Sequence, residues 1–169
     1  MQINCCISIC RSPQAAMRIL QLLRQRGYEM RMVSVIGSGS RGEWHPIGFY
    51  NNCGEIGCMG AEEGFWKVSW MMLERIAFFC SPEVGTVAAA GKIVDSMVKG
   101  MESGRISDRF GIPGSALYLA GVPTREVRDY VRAIRRGRFL VLFEGEWREV
   151  GDACDLMQDS AYRVTVHTA

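Results

Sequence analysis

The chain has 169 residues, of which 48% are hydrophobic and 22% charged, and its formal net charge is +2. This length and composition predict a single domain, residues 1–169, with a substantial core. The small net charge excludes a global field of the kind that draws a protein to nucleic acid or to an anionic membrane.

Cysteine usage predicts reduced thiols. There are seven cysteines, an odd number, and Cys5, Cys6 and Cys10 fall close together in one predicted strand rather than at the spacing of a disulfide framework. Ten methionines accompany them, so we expect a cytoplasmic protein. The first residues, "MQINCCISIC", lack the basic and apolar regions of a signal peptide, and no window of about 18 residues is free of charge.

The N-terminal elements are predicted as strand, helix, strand. Residues 3–10, "INCCISIC", resemble a strand, and Ser12-Pro13 then provides an N-cap and a proline at the first helical position. The helix is expected to end at Gly27, and residues 28–36 form the second strand. Its apolar residues recur at helical spacing: Ala16, Ile19, Leu20 and Leu23.

The C-terminal elements repeat a similar plan. A helix is predicted from Pro123-Thr124 to Gly137, then a strand over 138–143, a helix over 147–159 and a strand over 161–167. In the last strand Tyr162, Val164 and Val166 alternate with a polar set: Arg163, Thr165 and His167.

The middle of the chain is predicted as a helical hairpin. Residues 62–80 are apolar nearly all round, "SP" at 81–82 interrupts them, and residues 84–101 are rich in small side chains that let helices approach closely. A connection punctuated by glycine and proline follows, with one short helix at 114–120.

These elements predict an α+β fold, a ferredoxin-like βαββαβ sheet with a helical hairpin inserted between strands 2 and 3. Residues 1–42 and 123–169 would form the sheet-and-helix core, and residues 43–122 the helical insertion. "FLVLF" at 139–143 is apolar on both faces, and "INCCISIC" is nearly so, which places both strands in the middle of a covered sheet. The second and last strands carry polar residues on one face and belong at an edge or on a half-wet face. Because this topology has helices on one face only, the long middle segment or a second subunit must cover the other face.

The chain resembles the bacterial heat-induced or general stress protein domains and related domains of unknown function. The matching stretches are "VSVIG", "IGFY", "EGFWKVSW", "AFFCSPEVGTVAAAG" and "LAGVPTREVRDYVRAIRRGRFLVLFEG". The resemblance implies no enzymatic reaction, no catalytic residue and no cofactor. Family hairpins look membrane-embedded, but six charged residues interrupt this one, and a charge at a bilayer centre costs at least ~2.5 kcal/mol, which disfavours insertion.

Glycines 37, 39 and 42 spell G-x-G-x-x-G, the dinucleotide-binding fingerprint. That motif requires a helix to start at its third glycine, after the first strand of a βαβ unit. Here the second strand precedes it and Pro46 falls inside the required helix. We therefore expect the loop to redirect the chain at Ile36 rather than to bind a nucleotide.

Three small sets of residues are candidates for a metal, a ligand or an acidic partner. The spacing of His45, Cys53 and Cys58 suits three metal ligands, although nothing in the sequence identifies a fourth, and reduced loop thiols are the alternative. An apolar pocket for a small ligand would be lined by Trp44, Tyr50 and Trp66. A basic stripe that suits an anion or an acidic partner, or is simply a solvated face, consists of Arg125, Arg128, Arg132 and Arg136.

The aromatic residues of the hairpin are the main candidate for an interaction surface, or they seal the open face of the sheet. They are Phe65, Trp66, Trp70, Phe78 and Phe79. A homodimer would satisfy both interpretations. We therefore expect a non-enzymatic, oligomerising protein that uses the hairpin and the open sheet face, with no nucleic acid partner. The alternatives are a small-ligand-sensing module and a cysteine-based metal or redox protein.

Overall fold

A six-stranded antiparallel sheet forms the centre of the computed structural model, which describes residues 4–38, 63–81, 84–103 and 110–168. In sheet order the strands are β3, β4, β2, β5, β1 and β6, and each is antiparallel to its neighbours. Their bounds in chain order are β1 Asn4–Cys10, β2 Val33–Ser38, β3 Ile76–Ser81, β4 Gly85–Gly91, β5 Phe139–Gly145 and β6 Arg163–His167.

In the described ranges, six α-helices cover the two faces of this sheet. They are α1 Pro13–Gln25, α2 Glu63–Leu73, α3 Ile93–Glu102, α4 Gly111–Leu119, α5 Thr124–Arg135 and α6 Trp147–Gln158. Helices α1, α2 and α6 bury one apolar cluster against the sheet, and α3, α4 and α5 bury a second cluster on the opposite face. A short 3-10 helix, Met30–Met32, leads into β2.

The first helix forms for the reasons that its sequence predicts. The Ser12 side chain accepts a hydrogen bond from the backbone N–H of Ala15 at 3.2 Å, and Pro13 occupies the first helical position. The four predicted core residues of this helix are all buried. Gly27 follows at φ 81°, where a side chain would be strained.

The interior position of β1 and β5 is confirmed. β5 lies between β2 and β1, and β1 lies between β5 and β6. Both strands are buried along almost their whole length, as runs that are apolar on both faces predict. β2 was expected at an edge or on a half-wet face; instead, β4 pairs with its outer side and makes it a third interior strand.

The predicted helical hairpin is wrong. Its first helix ends at Leu73, Glu74 follows at φ 62°, and the chain continues as the β-hairpin of β3 and β4. Residues Gly85–Gly91, expected in the second helix, are therefore strand. A run that is apolar all round fits a covered strand as well as a buried helix, so periodicity alone could not separate them.

The four-stranded ferredoxin-like sheet is not confirmed, because residues 76–91 of the predicted helical insertion add two strands and the order of the sheet is different. The face that the predicted topology leaves open is covered by α3 and α4 of the middle segment together with α5, in agreement with one of the two expected alternatives. Leu140 and Leu142 of β5 pack in the cluster that α3, α4 and α5 cover, and Phe139, Val141 and Phe143 pack in the other cluster. Helices of the same chain thus cover both faces of "FLVLF".

Gly37 has a packing role inside β2, which extends to Ser38 and does not end at Ile36 as expected. A Cβ atom at Gly37 would lie 2.5 Å from Cδ1 of Phe139 and 3.2 Å from the Trp66 ring. The first glycine of G-x-G-x-x-G therefore lets two aromatic side chains pack against the strand.

Candidate functional site

Most of the residues predicted for a metal or a ligand lie outside the described part of the chain. These are Trp44, His45, Tyr50, Cys53 and Cys58. Of the pocket residues, only Trp66 is described. It is 2% exposed and contacts the rings of Phe65, Phe78 and Phe139, so it is a core residue rather than an open pocket wall.

The five aromatic residues predicted as an interaction surface lie mostly in the core. Phe65, Trp66 and Phe79 are buried, and Trp70 and Phe78 are half-buried. The Phe65 ring packs edge-on against Phe139 at 5.1 Å between centroids. The described structure therefore favours the alternative that these side chains seal the sheet. Phe65, Trp66 and Phe78 pack under α1, α2 and α6, and Phe79 packs in the cluster on the opposite face.

The basic stripe is where the sequence places it. All four arginines are exposed, three of them on α5 and Arg136 directly after its last residue. Two acidic neighbours are paired with the stripe, because Nη1 of Arg132 lies 3.2 Å from Asp129 and Nε of Arg125 lies 3.6 Å from Glu126. Part of the positive charge is thus balanced on the same helix, which makes the stripe a solvated face with a modest net charge.

A row of three titratable residues crosses the sheet at one end, and the sequence did not single it out. Cys5 of β1 lies opposite Glu144 of β5 and, on its other side, opposite His167 of β6. Residues directly opposite each other project to the same face, so all three side chains lie on the side covered by α3, α4 and α5. We call Glu144, Cys5 and His167 the polar row.

Glu144 is 5% exposed and has a charged partner at the opposite end of the row from His167. Lys92 follows β4, and its Nζ lies 2.5 Å from Oε2 of Glu144. The position of Lys92 is fixed by the next residue, because the backbone N–H of Ile93 donates to the buried hydroxyl of Ser34 at 3.0 Å. A buried carboxylate requires such a partner.

His167 connects the other end of the row to α5. Its Nε2 lies 2.7 Å from the Tyr130 hydroxyl, and its Nδ1 lies 3.7 Å from Oε2 of Glu126. Burial lowers the pKa of His167, an effect that Glu126 opposes and Arg163 strengthens. Burial also raises the pKa of Tyr130 to about 12, so the phenol stays protonated at neutral pH and can donate a hydrogen bond to Nε2. This geometry favours the neutral Nδ1–H tautomer of the ring.

His167 was expected on the polar side of its strand, and that expectation is wrong. The ring is 3% exposed, whereas Arg163 at the other end of β6 is exposed. Alternation in "RVTVH" correctly puts both residues on one face. It could not show that α5 covers only the end of the strand nearest His167.

The polar row has the composition of a catalytic site but not its accessibility or reactivity. Burial, followed by the charge of Glu144, raises the pKa of the Cys5 thiol to about 12, so the thiol stays protonated at neutral pH. Cys5 is fully buried, and Tyr130 is 1% exposed. A substrate therefore has no access to these groups, and the row acts as an internal polar connection between three strands (β5, β1 and β6) and α5.

An open cavity of about 780 Å³ lies between the end of α1 and α6 on the other face of the sheet. Tyr28 contributes one wall and packs edge-on against Phe143, with 5.2 Å between ring centroids. Four carboxylates also line the cavity: Glu29, Glu149, Asp152 and Asp155. Burial raises the pKa of Tyr28, and Asp152 adds to that increase.

The outer edge of β6 is the second exposed feature. No strand in the described ranges pairs with that edge. Two large side chains near this edge are exposed. Trp147, the first residue of α6, is 59% exposed, and Tyr162, directly before β6, is 60% exposed. The Arg11 guanidinium lies over the Tyr162 ring at 4.3 Å from its centroid. A smaller cavity of about 470 Å³ separates α6 from Val166.

Comparisons with known proteins add no family or function. No family model, no curated protein and no solved structure matches the chain. Within residues 4–38, 63–81, 84–103 and 110–168, no group of three or more His, Cys, Asp or Glu side chains could hold a metal ion. None of the helices in these ranges has both the length and the apolar character that a bilayer crossing requires.

Proposed function

We propose that this is a non-enzymatic protein that self-associates through the edges of its sheet. One observation supports the proposal above the others: helices cover both faces of the sheet, while β3 and β6 have no strand on their outer sides within the described residues. A free strand edge presents unpaired N–H and C=O groups to a partner. The interaction surface thus moves from the predicted hairpin and open face to the sheet edges.

The low reactivity of the three buried thiols in β1 supports a non-enzymatic role. The thiols of Cys5 and Cys6 have pKa values raised to about 12 by burial, and that of Cys10 is raised to about 11. Such thiols are poor nucleophiles and poor metal ligands at neutral pH. The remaining candidates for cysteine chemistry, Cys53 and Cys58, stay a prediction.

The finer fold assignment belongs to the same proposal. The strands β2, β5, β1 and β6, with α1 and α6 on one side, are consistent with a ferredoxin-like core extended by the β3–β4 hairpin. We keep the resemblance to bacterial stress-response domains as part of this proposal. In such a role, stress would change the self-association of the protein rather than the rate of a reaction that it catalyses.

Sedimentation velocity over a wide concentration range tests the proposed function. We expect a reversible monomer–dimer equilibrium, or a stable dimer, in the purified full chain. A strict monomer at the highest concentration that stays in solution would contradict the proposal.

A small-ligand-sensing module is the second candidate, and the open cavity beside Tyr28 favours it. Its carboxylates and its aromatic wall suit an organic cation. Calorimetric titration with spermidine should show saturable binding that the Asp152→Asn/Asp155→Asn double variant loses. Equal heats for the parent chain and this variant would remove the candidate.

A further inference from the structure

The edge strand β6 has a sequence and surroundings that fit a second copy of itself. We propose that β6 pairs antiparallel with β6 of another copy around a two-fold axis at Thr165, joining two six-stranded sheets into one. This inference rests on the proposed function and specifies the edge, the register and the contacts. A two-fold interface requires a surface that is complementary to itself, and each face of β6 meets that requirement.

The register follows from the length of the strand. Pairing centred on Thr165 aligns all five residues of β6 (Arg163–His167) with the five residues of the partner strand. Arg163 then lies opposite the partner's His167, and Val164 lies opposite the partner's Val166. A shift of the register by one residue or more in either direction leaves strand residues unpaired, so this register forms the most backbone hydrogen bonds.

The face toward α6 would become an apolar contact. Val164 and Val166 are half-buried on this face, beside the cavity of about 470 Å³ that Trp147 and Cys154 also line. Pairing brings four valines together, two from each copy. Cross-strand pairs of β-branched residues contribute roughly 0.2–1 kcal/mol each relative to alanine pairs.

The face toward α5 would become a pair of charge contacts. Arg163 is exposed, and within the described residues its Nε donates a hydrogen bond to the Thr165 hydroxyl of its own strand at 3.3 Å. In the proposed register it lies across from the partner's His167, whose ring is 3.7 Å from Glu126 of the same copy. Directly opposed residues have Cβ atoms about 5 Å apart, so the guanidinium reaches that carboxylate. Symmetry provides this contact twice.

The same arrangement explains how the edge is protected in the free chain. Natural edge strands are short and carry charged side chains that discourage random pairing. β6 has five residues and one permanently charged side chain, Arg163. Covering that charge with a partner that offers no carboxylate is unfavourable, whereas a partner that presents Glu126 can pair with it. The charge therefore selects a second copy in one register.

Charge reversal with rescue tests the inference. In sedimentation of the full chain, Arg163→Glu should weaken dimerisation by about tenfold or more because it places two carboxylates opposite each other. The swapped double variant, Arg163→Glu/Glu126→Arg, should restore most of the affinity. Arg18→Glu, a reversal at an exposed position of α1, is the matched control and should leave the affinity unchanged.

Hydrogen exchange of the unmodified protein provides a reading that needs no variant. The backbone amides of residues 163–167 should gain protection as the concentration rises through the range in which the dimer forms. If Arg163→Glu does not fold by circular dichroism, Val164→Lys takes its place, with the same expected loss of dimer.

The outcomes separate this inference from the proposed function. A dimer that Arg163→Glu leaves unchanged, with no added protection of β6, overturns the pairing of β6 but leaves self-association through another surface. A monomer at every concentration overturns both. A dimer that is lost on charge reversal and recovered in the swap supports both.

Discussion

The two faces of the sheet differ in what they bury, although the same strands supply both. The face under α1, α2 and α6 is packed with aromatic rings, aliphatic side chains and thiols. The face under α3, α4 and α5 combines an apolar centre with the polar row and its partners at one end. Successive residues of a strand point to opposite faces of the sheet. Phe143 therefore packs among the aromatic side chains under α1, α2 and α6, whereas Glu144 pairs with Lys92 on the opposite face. Buried Glu144 and His167 therefore lie on one face, where specific partners hold them, whereas the opposite face depends mainly on shape.

The largest expected effect comes from removing one partner on the polar face. Lys92→Met should lower the free energy of unfolding by about 2–4 kcal/mol, because it leaves the carboxylate of Glu144 buried without a counter-charge. Urea unfolding measures the loss. The same substitution at exposed Lys99 is the control, with an expected change within about 0.5 kcal/mol. If Lys92→Met and Lys99→Met cost the same, the ion pair has no structural role.

The aromatic face should respond to volume rather than to charge. Gly37→Ala should lower the free energy of unfolding by about 1–3 kcal/mol, because the new methyl group would overlap the Phe139 ring. Gly151→Ala in α6 is the matched control. Its Cβ meets no atom within 4 Å, so helix propensity should make this variant neutral or up to about 1 kcal/mol more stable. A neutral Gly37→Ala would show that the ring can move away.

The polar face should also be sensitive to acid. The pKa of His167 is lowered in the folded protein, so the unfolded chain binds a proton first as pH falls. Its contribution to stability is full above the unfolded value of about 6.5 and decreases as pH falls below it, by at most about 1.4 kcal/mol per pH unit. Urea unfolding at pH 7.5 and 5.5 measures the difference. His167→Gln should reduce that difference, and an unchanged difference would assign the acid sensitivity to other groups.

The smallest expected effect is a difference in alkylation between the thiols of the native protein, which requires no substitution on either face. Cys5 on the polar face and Cys6 on the aromatic face are both fully buried with pKa values of about 12, whereas Cys154 is partly exposed. Brief treatment of the native protein with iodoacetamide should modify Cys154 and spare the other two, as peptide mass spectrometry can show. Equal labelling of Cys5 and Cys154 would mean that the polar face opens readily.

Elements with local signals could be predicted, and elements defined by distant contacts could not. The helix from Pro13 to Gln25 carries its own cap, core spacing and stop at Gly27, so no tertiary information was required. The β3–β4 hairpin was taken for helix, because burial on both sides removes the alternation that identifies a strand. The polar row depends on the register between Cys5, Glu144 and His167, which are remote in sequence and belong to no local motif. The one local signal was Glu144, a charged residue near the end of the otherwise apolar strand β5.

The strand order also constrains when the chain can fold. Both neighbours of β1 in the sheet, β5 and β6, lie beyond residue 138. On a ribosome, β1 would therefore wait for most of the chain to be synthesised before it could pair, with Cys5, Cys6 and Cys10 still exposed to solvent and oxidants. Contacts of this sequence separation also slow folding, because a long loop must close before any pairing is gained. For these three thiols, the stage most exposed to oxidants is thus synthesis rather than the folded state, so a reducing environment or a chaperone should matter most to them at that stage.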